Sequence, residues 1–593
     1  MESVISTTLP STRAQAGAAD LSGRKSPFMI LTFFGLWGLL LVGYGPRLWD
    51  VMATARTPLE AAILAAFSGM LVLFWMLAAY YTAVVAFSWI ARPLGRAPRA
   101  VMEDLPAVAV LYPTCDDLQE EAALSCVTQD YPNFHVFLLD DSTSAEGQAA
   151  VDTFHRRHSE KTTVVRRVDR SGFKAGNLNH ALRGAATGYP FFTVIDADER
   201  MPGDFLSRTV PYIVASDIAF VQANHSPNEN QKTQFARDLA PTILPFWHVH
   251  CAPRNRYGFV PYIGHGALLR RRAWEDVGGF PEVLTEDLAY SAALAVRGMR
   301  GIFLEHIVCR EDFPATYRAF KRQQERYVVG VTQALRGHLL PLLRSKHVSA
   351  IEKVDFCLWC SPLYVPALCL LFALICSLGL ATVLGHWRPL TICLADRTVN
   401  LGMVRALEAR FTPLWSWHFQ IASALCAFSP AFAAFSLGLR GKLSITRVLF
   451  LGTAPYLSLM LVSWRGILNY VFSGRTVFIP TGHPSLLADG FSSGPWVAEK
   501  PRQVLSSGSL AAYEFPLGLV LAVMSLASFN LGMVAVCVCL SLGSVIEVKG
   551  WEFPGVRLAA AACLALVLAH VFVSGFLSVQ WAGLPPLPFS VHF

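Results

Sequence analysis

Hydrophobic positions in this chain fall into three blocks. Residues 28–44 and 61–90 are nearly uncharged apolar runs, each long enough to cross a bilayer with some tilt. The stretch "ARPLGRAPR" follows, and Arg92, Arg96 and Arg99 would hold that end in the cytoplasm. Two crossings then leave the N-terminus and everything after Arg99 on one side. From about 106 to 344 the pattern changes to short apolar runs that end in polar residues: "AVAVLYPTCDD", "FHVFLLDDST", "TTVVRRVD", "FFTVIDADE" and "IAFVQANH". Helical stretches such as Glu120–Val127 and Phe205–Val214 separate them. This alternation predicts an α/β domain with a mostly parallel sheet. Ligands of such sheets sit at the carboxyl ends of the strands. Polar residues gather there: Thr114, Asp116 and Asp117; Asp140 and Asp141; Asp196 and Asp198.

Beyond residue 354 the apolar runs return. Spans are predicted over 356–384, 417–437 and 558–577, and over 515–546 as one long helix or two short ones. The run 448–471 contains Arg465 and reads as amphipathic, which favours an interfacial helix over a span. The predicted organisation is a disordered tail at 1–26, two transmembrane helices at 27–100, a cytosolic domain at 101–345, and interfacial and transmembrane helices at 346–593.

Composition agrees. Of 593 residues, 53% are hydrophobic and 15% charged, against about 25% charged in soluble proteins. This is an integral membrane protein. The net charge of +7 is spread out and suits basic loops at a membrane face rather than nucleic-acid binding. The 13 cysteines show neither disulfide nor zinc spacing and read as small buried hydrophobes. The first apolar run lacks a cleavage signature and reads as an anchor. No internal repeat is apparent.

Several short motifs could carry chemistry. In "DAD", Asp196 and Asp198 lie two residues apart at a strand end and project to one face, where they can hold a hard divalent cation. A solvated turn would look the same. In "FKAGNLNHAL" the Gly-Asn pair can start a helix, with Lys174 placed to meet an anion. In "LTED", Thr285 would cap the following helix, and Glu286 and Asp287 suit its first turn; Asp287 could equally serve as a general base. "AFKRQQERYVVGVTQAL" reads as a helix on which Gln323, Arg326 and Tyr327 share a face. Its arginine could stabilise a departing diphosphate and its tyrosine could stack on a sugar. An amphipathic interfacial helix would show the same pattern.

The order of these motifs is more specific than any one of them. A strand-end acid pair, Lys-Ala-Gly-Asn, Asp-x-Asp, Thr-Glu-Asp and Gln-x-x-Arg-aromatic together resemble the processive family 2 glycosyltransferases, especially the catalytic subunit of bacterial cellulose synthase. The resemblance runs from about residue 111 to 335, and more faintly through "APYLSLMLVSWRGILNYVFSGRTVFIPTG". It implies a GT-A-type domain inserted between transmembrane helices. Thr114, Asp116, Asp141, Lys174 and Asp196 would bind a UDP-sugar donor, and Asp198 with Asp196 would ligate Mg²⁺ or Mn²⁺. Asp287 would be the catalytic base beside Glu286, and Arg326 would steady the diphosphate. Gln323, Tyr327 and His265 would meet the growing polysaccharide acceptor. Phe478 and Thr481 would belong to a gating loop within 474–490.

The implied function is a processive, inverting β-glucan synthase (an EC 2.4.1 type) that uses UDP-glucose in the cytosol and exports the chain through its own channel. That places it in the inner (plasma) membrane, in contact with lipid and compatible with periplasmic or membrane accessory subunits. Some features depart from cellulose synthase. Tyr327 replaces tryptophan, "YIGH" (residues 262–265) replaces Phe-Cys-Gly-Ser, and Gly482 and His483 follow Thr481 where a lysine is expected. The chain also ends in apolar segments rather than in a soluble cyclic-di-GMP-binding module. Product linkage (β-1,4, β-1,3 or mixed) therefore stays open. So does an aminosugar polymer synthase of the chitin or hyaluronan kind using UDP-GlcNAc, a transferase adding one sugar to a lipid, or a catalytically silent scaffold of an export complex.

Overall fold

The computed structural model describes residues 25–94, 105–394, 397–407, 417–442, 444–473, 510–528, 530–580 and 589–592. Residues 1–24, Arg96, Arg99, and the 474–490 loop with Phe478, Thr481, Gly482 and His483 lie outside them. Lys25 Nζ donates to the carbonyls of Arg254 (3.1 Å) and Asn255 (2.9 Å).

The central domain is built on an eight-stranded sheet: β1 (Val108–Thr114), β2 (Phe134–Asp140), β3 (Thr162–Val165), β4 (Phe191–Val194), β5 (Glu199–Arg200), β6 (Phe220–Pro227), β7 (Ala267–Arg270) and β8 (Gly301–Glu311). Their order is β3-β2-β1-β4-β7-β6-β8-β5. Neighbours are parallel from β3 through β4 and again between β6 and β8, whereas β7 and β5 run against their partners. The mostly parallel sheet is as expected. Strands β5, β7 and β8 were not anticipated. They complete the half of the sheet that faces the transfer motifs.

β1 has the composition of a strand buried on both faces. Val110 and Tyr112 enter the core on one side of the sheet with Leu138 and Ile195, and Ala109 and Leu111 enter the other with Phe137, Leu139 and Val194. Because Thr114 pairs with Asp140 and Leu111 with Val194, the polar ends of β1, β2 and β4 finish along one edge. That edge is where an open α/β sheet can hold a ligand.

Among the described residues, four helices are long and apolar enough to cross a membrane: Phe28–Ala53, Pro58–Ile90, Ala350–Leu384 and Leu531–Lys549. The 515–546 run forms two helices, Ala511–Ala527 and Leu531–Lys549, and Pro554–Gln580 follows. The predicted span over 417–437 is broken into Trp417–Phe428 and Phe432–Leu439 by a 3₁₀ turn at Ser429–Ala431, where Pro430 removes a backbone donor. The amphipathic run becomes two helices, Ile445–Leu457 and Met460–Phe472, bent by 42°. Antiparallel strands Gly385–Leu394, Arg397–Leu407 and Phe589–His592 also form in the second apolar half, where only helices were expected. Most described cysteines are buried as predicted, but Cys357 is exposed.

A buried polar knot fixes the α/β domain to its membrane helices. Arg254 Nε lies 3.1 Å from Asp355 Oδ2. Tyr80, from the Pro58–Ile90 helix, donates to Asp355 Oδ1 at 2.8 Å and accepts from Arg254 Nη2 at 2.6 Å. Breaking one partner of such a buried pair costs about 3–5 kcal/mol, so the knot strongly favours one docking geometry.

Candidate active site

Gly172 has φ +74° and precedes the Phe173–Arg183 helix. The helix starts at Phe173 rather than at the predicted Gly176-Asn177, which places Lys174 in its first turn. Asn177 is used structurally, donating to the Leu139 carbonyl. Lys174 Nζ reaches Asp196 Oδ1 at 2.5 Å, the Gly264 carbonyl at 3.0 Å and Glu286 Oε1 at 3.6 Å. One ammonium thus joins the "KAGN", "DAD", "YIGH" and "TED" segments. Burial opposes the charge on Lys174, but the carboxylates of Asp196 and Glu286 outweigh it and hold the group protonated. Burial likewise opposes ionisation of Asp196, yet Lys174 and His265 hold its pKa below the ordinary carboxylate value.

Asp198 has the opposite environment. Burial, Asp196 and Glu311 push its pKa up to about 7, and no side-chain hydrogen bond or ion pair reaches its carboxylate among the described residues. An acceptor-only group crowded by other acids suits a hard divalent cation, which would relieve that repulsion.

The Glu286–Val296 helix carries the next two acids. Asp287 Oδ1 accepts from the Leu288 amide at 2.7 Å, and burial raises its pKa. Burial also lifts Glu286 to about 7, with Lys174 opposing. Gly264 has φ +84°, and a β-carbon there would stand 3.3 Å from Asp287 Oδ2, so the "YIGH" loop passes directly over this carboxylate. Thr285 does not cap the helix through its side chain. Its hydroxyl is buried without a hydrogen bond, because the Tyr317–Arg344 helix closes over it: a β-carbon on Gly330 would come within 2.4 Å of Thr285 Cγ2. Gln333 of that helix accepts from the Leu284 amide at 3.1 Å. Arg326 and Tyr327 lie on the same helix, with the guanidinium 5.7 Å from the ring centroid. Burial raises the Tyr327 hydroxyl to about 12, with Arg326 opposing and Glu311, Asp198 and Asp196 adding to the rise. Gln323 is half-buried on the same helix.

Predicted donor residues on the β1 and β2 side are already engaged. Thr114 Oγ1 donates to Asp117 at 2.9 Å. Asp116, at φ +60°, accepts from the amides and hydroxyls of Thr143 and Ser144. Asp141 is paired with the buried Arg167 at 2.8 Å. These residues lie at the carboxyl ends of β1 and β2, while Lys174 meets Asp196 and Glu286 beside the end of β4, with Asp287 next to Glu286 in sequence.

Sequence reasoning missed Glu199 and His225. Glu199 Oε1 lies 2.7 Å from His225 Nε2 and Glu199 Oε2 lies 3.2 Å from His265 Nδ1, both within a wholly buried carboxylate's reach. His265 in turn lies 3.8 Å from Glu311. Burial works against the imidazolium of His265, but Glu199, Asp196 and Glu311 raise it to about 10. With Cys309, Glu199 and His225 form a group of potential metal ligands. The 2.7 Å separation is nevertheless a hydrogen bond, shorter than the roughly 3.3 Å between ligand atoms around tetrahedral zinc. The one local signal was that Glu199 directly follows "DAD".

Fold and site together define an α/β domain with an acid-rich site at the strand ends, flanked by apolar helices in a multi-pass membrane protein. Residues 191–472 match the family described as "Glycosyl transferase family group 2". That match takes in Asp196, Asp198, Asp287, Gln323, Arg326 and Tyr327. Among curated relatives, a probable glucomannan 4-beta-mannosyltransferase 11 of Arabidopsis thaliana is 26% identical over 226 residues, which is 37% of this chain and 51% of that protein. A probable glucomannan 4-beta-mannosyltransferase 6 of Oryza sativa subsp. japonica is 29% identical over 226 residues, 37% of this chain and 39% of that protein. The chain thus spans about half or less of the length of these relatives. A solved mannosyltransferase from Pyrobaculum calidifontis, in complex with GDP-mannose and Mn²⁺, aligns over 72% of this chain and 100% of its own at 20% identity, with a TM-score of 0.42.

Proposed function

We propose that the protein is a processive, inverting glycosyltransferase that polymerises a β-glucan from UDP-glucose and passes it through its own transmembrane helices. The observation that carries this reading is the convergence on Lys174 of Asp196 and Glu286, with Asp287 next in sequence and the Gly330 helix pressed onto the same turn. Donor acids, a candidate base and the residues proposed to face the acceptor thereby share one cleft.

In this reading Asp287 takes the proton from the acceptor hydroxyl. The hydroxyl oxygen then attacks the anomeric carbon in line as the bond from that carbon to the diphosphate oxygen breaks. A single displacement turns an α-linked donor into a β-linked product. Lys174 sets the position and charge of Asp196, Thr114, Asp116 and Asp141 shape the nucleotide edge, and Arg326 steadies the leaving diphosphate. Gln323, Tyr327 and His265 orient the acceptor. Asp198 and Asp196 would hold Mg²⁺ or Mn²⁺, which supplies charge neutralisation for the diphosphate when bound. The catalytic domain faces the cytosol and the helices lie in the inner membrane.

The relatives' names support a second reading, a glucomannan 4-β-mannosyltransferase that takes a mannosyl rather than a glucosyl donor. The site chemistry is common to both. Asp287→Asn tests it: transfer should fall by about 10²–10⁴-fold, the range for loss of a general base, while calorimetric binding of the nucleotide stays intact. Equal loss of both would make Asp287 structural.

A further inference from the structure

The Tyr317–Arg344 helix has two working faces. Residues two apart on an α-helix point in nearly opposite directions, whereas those three or four apart share a face. Gln323, Tyr327 and Gly330 form the stripe turned to the cleft, where a β-carbon on Gly330 would meet Thr285. The opposite stripe, Tyr317, Lys321, Glu325 and Val329, touches segments of the second apolar half. Tyr317 and Ser458 share a hydrogen bond of 2.6 Å. Lys321 Nζ reaches both oxygens of Glu514 at 2.9 Å and Glu547 at 3.0 Å, joining the Ala511–Ala527 and Leu531–Lys549 helices. Arg465 grips both oxygens of Glu325, at 2.8 and 2.6 Å. A β-carbon on Gly466 would lie 3.1 Å from Val329, so the backbones approach closely beside that pair.

We infer that Lys321 and Glu325 are positioning residues: through Glu514, Glu547 and Arg465 they lock the helix carrying Arg326 and Tyr327 to the membrane half, and so set where the acceptor end stands relative to the donor. Their ion pairs lie on the face turned away from the cleft, and they act through that helix. A planar, bidentate Arg–carboxylate pair fixes both distance and orientation. Glu325 sits directly before Arg326, so a shift at the pair moves the cleft face with it. The inference rests on the proposed glycosyl transfer and adds a consequence. The back stripe governs elongation of the polymer more than attack on the donor.

The test uses the full chain in nanodiscs, with Glu325→Arg, Arg465→Glu, the two combined, and the milder Glu325→Gln. Two quantities are read, the donor KM for sugar transfer to water and the length of the polymer. Each reversal should cut elongation roughly 10–100-fold, as small misplacements far from the chemistry can, with donor KM within about twofold of wild type. The double reversal should restore most of the length, since the pair couples, and Glu325→Gln should fall between. Wild-type length in both single reversals, or no recovery in a double variant that still hydrolyses donor, overturns the inference alone. If a reversal loses donor hydrolysis, Glu325→Gln decides, and wild-type polymer length there overturns it. A wild-type protein that transfers no sugar from any donor overturns both this inference and the glycosyl-transfer reading.

Discussion

Asp287 shows how burial tunes one side chain toward a function. Its carboxylate is raised by desolvation and kept in place by the Leu288 amide and the passing Gly264 backbone. A base works only when unprotonated, and a raised pKa means that the proton is taken up at higher pH than by an ordinary aspartate. The rate should therefore fall on acidification, with its acid limb above the ordinary aspartate value of about 4. A pH–rate profile with the limb at or below that value would remove Asp287 from the base role. Asp198 makes a separate prediction. Crowded by Asp196 and Glu311, it should need a cation, so chelation should stop synthesis, Mg²⁺ or Mn²⁺ should restore it, and Asp198→Asn should not be rescued by either. Full activity in chelator would refute this.

At the scale of elements, the joint between the "TED" turn and the Tyr317–Arg344 helix is the most exacting contact. Gly330→Ala places a methyl where Thr285 already stands. Overpacking of this kind costs about 1–3 kcal/mol, and here it would also push the turn that carries Asp287. We expect a lower melting temperature and a larger loss of transfer than of nucleotide binding; a fully active Gly330→Ala enzyme would show that the joint is loose. Element scale also explains what could be read from the sequence. Asp196 and Asp198 end a periodic segment, so hydrophobic pattern put them on the sheet edge, whereas Lys174 and Asp287 begin helices and were joined to that edge only by the order of the motifs and the resemblance it carries. Glu199, His225 and His265 meet because β5, β6 and the loop before β7 come together in three dimensions. No spacing along the chain encodes that meeting. The same holds for β7 and β8, whose short or irregular alternation is recognisable only beside β6. Thr285 misled for a related reason: its local sequence is that of a cap, and tertiary closure by Gly330 overrides it.

At the scale of the whole molecule, the α/β domain is held between apolar helices on both sides of it in sequence. The Tyr80–Arg254–Asp355 knot ties it to the Pro58–Ile90 helix of the first set and to the Ala350–Leu384 helix of the second, and the Lys321 and Glu325 ion pairs add further attachments to the second. Arg465, which made its segment ambiguous in the sequence, is the cation of one of these attachments. A cleft held in this way against membrane helices suits a reaction whose product leaves across the bilayer. The most direct measurement supplies the purified, nanodisc-embedded protein with UDP-glucose, GDP-mannose and UDP-GlcNAc one at a time, with Mg²⁺ or Mn²⁺, and digests the product with linkage-specific hydrolases. The account predicts a long polymer from UDP-glucose that β-glucanases degrade and that Asp287→Asn does not make. A polymer from GDP-mannose cut by β-mannanases would keep the reaction and change the sugar. No polymer from any donor, or a product resistant to every β-specific hydrolase, would contradict the central claim.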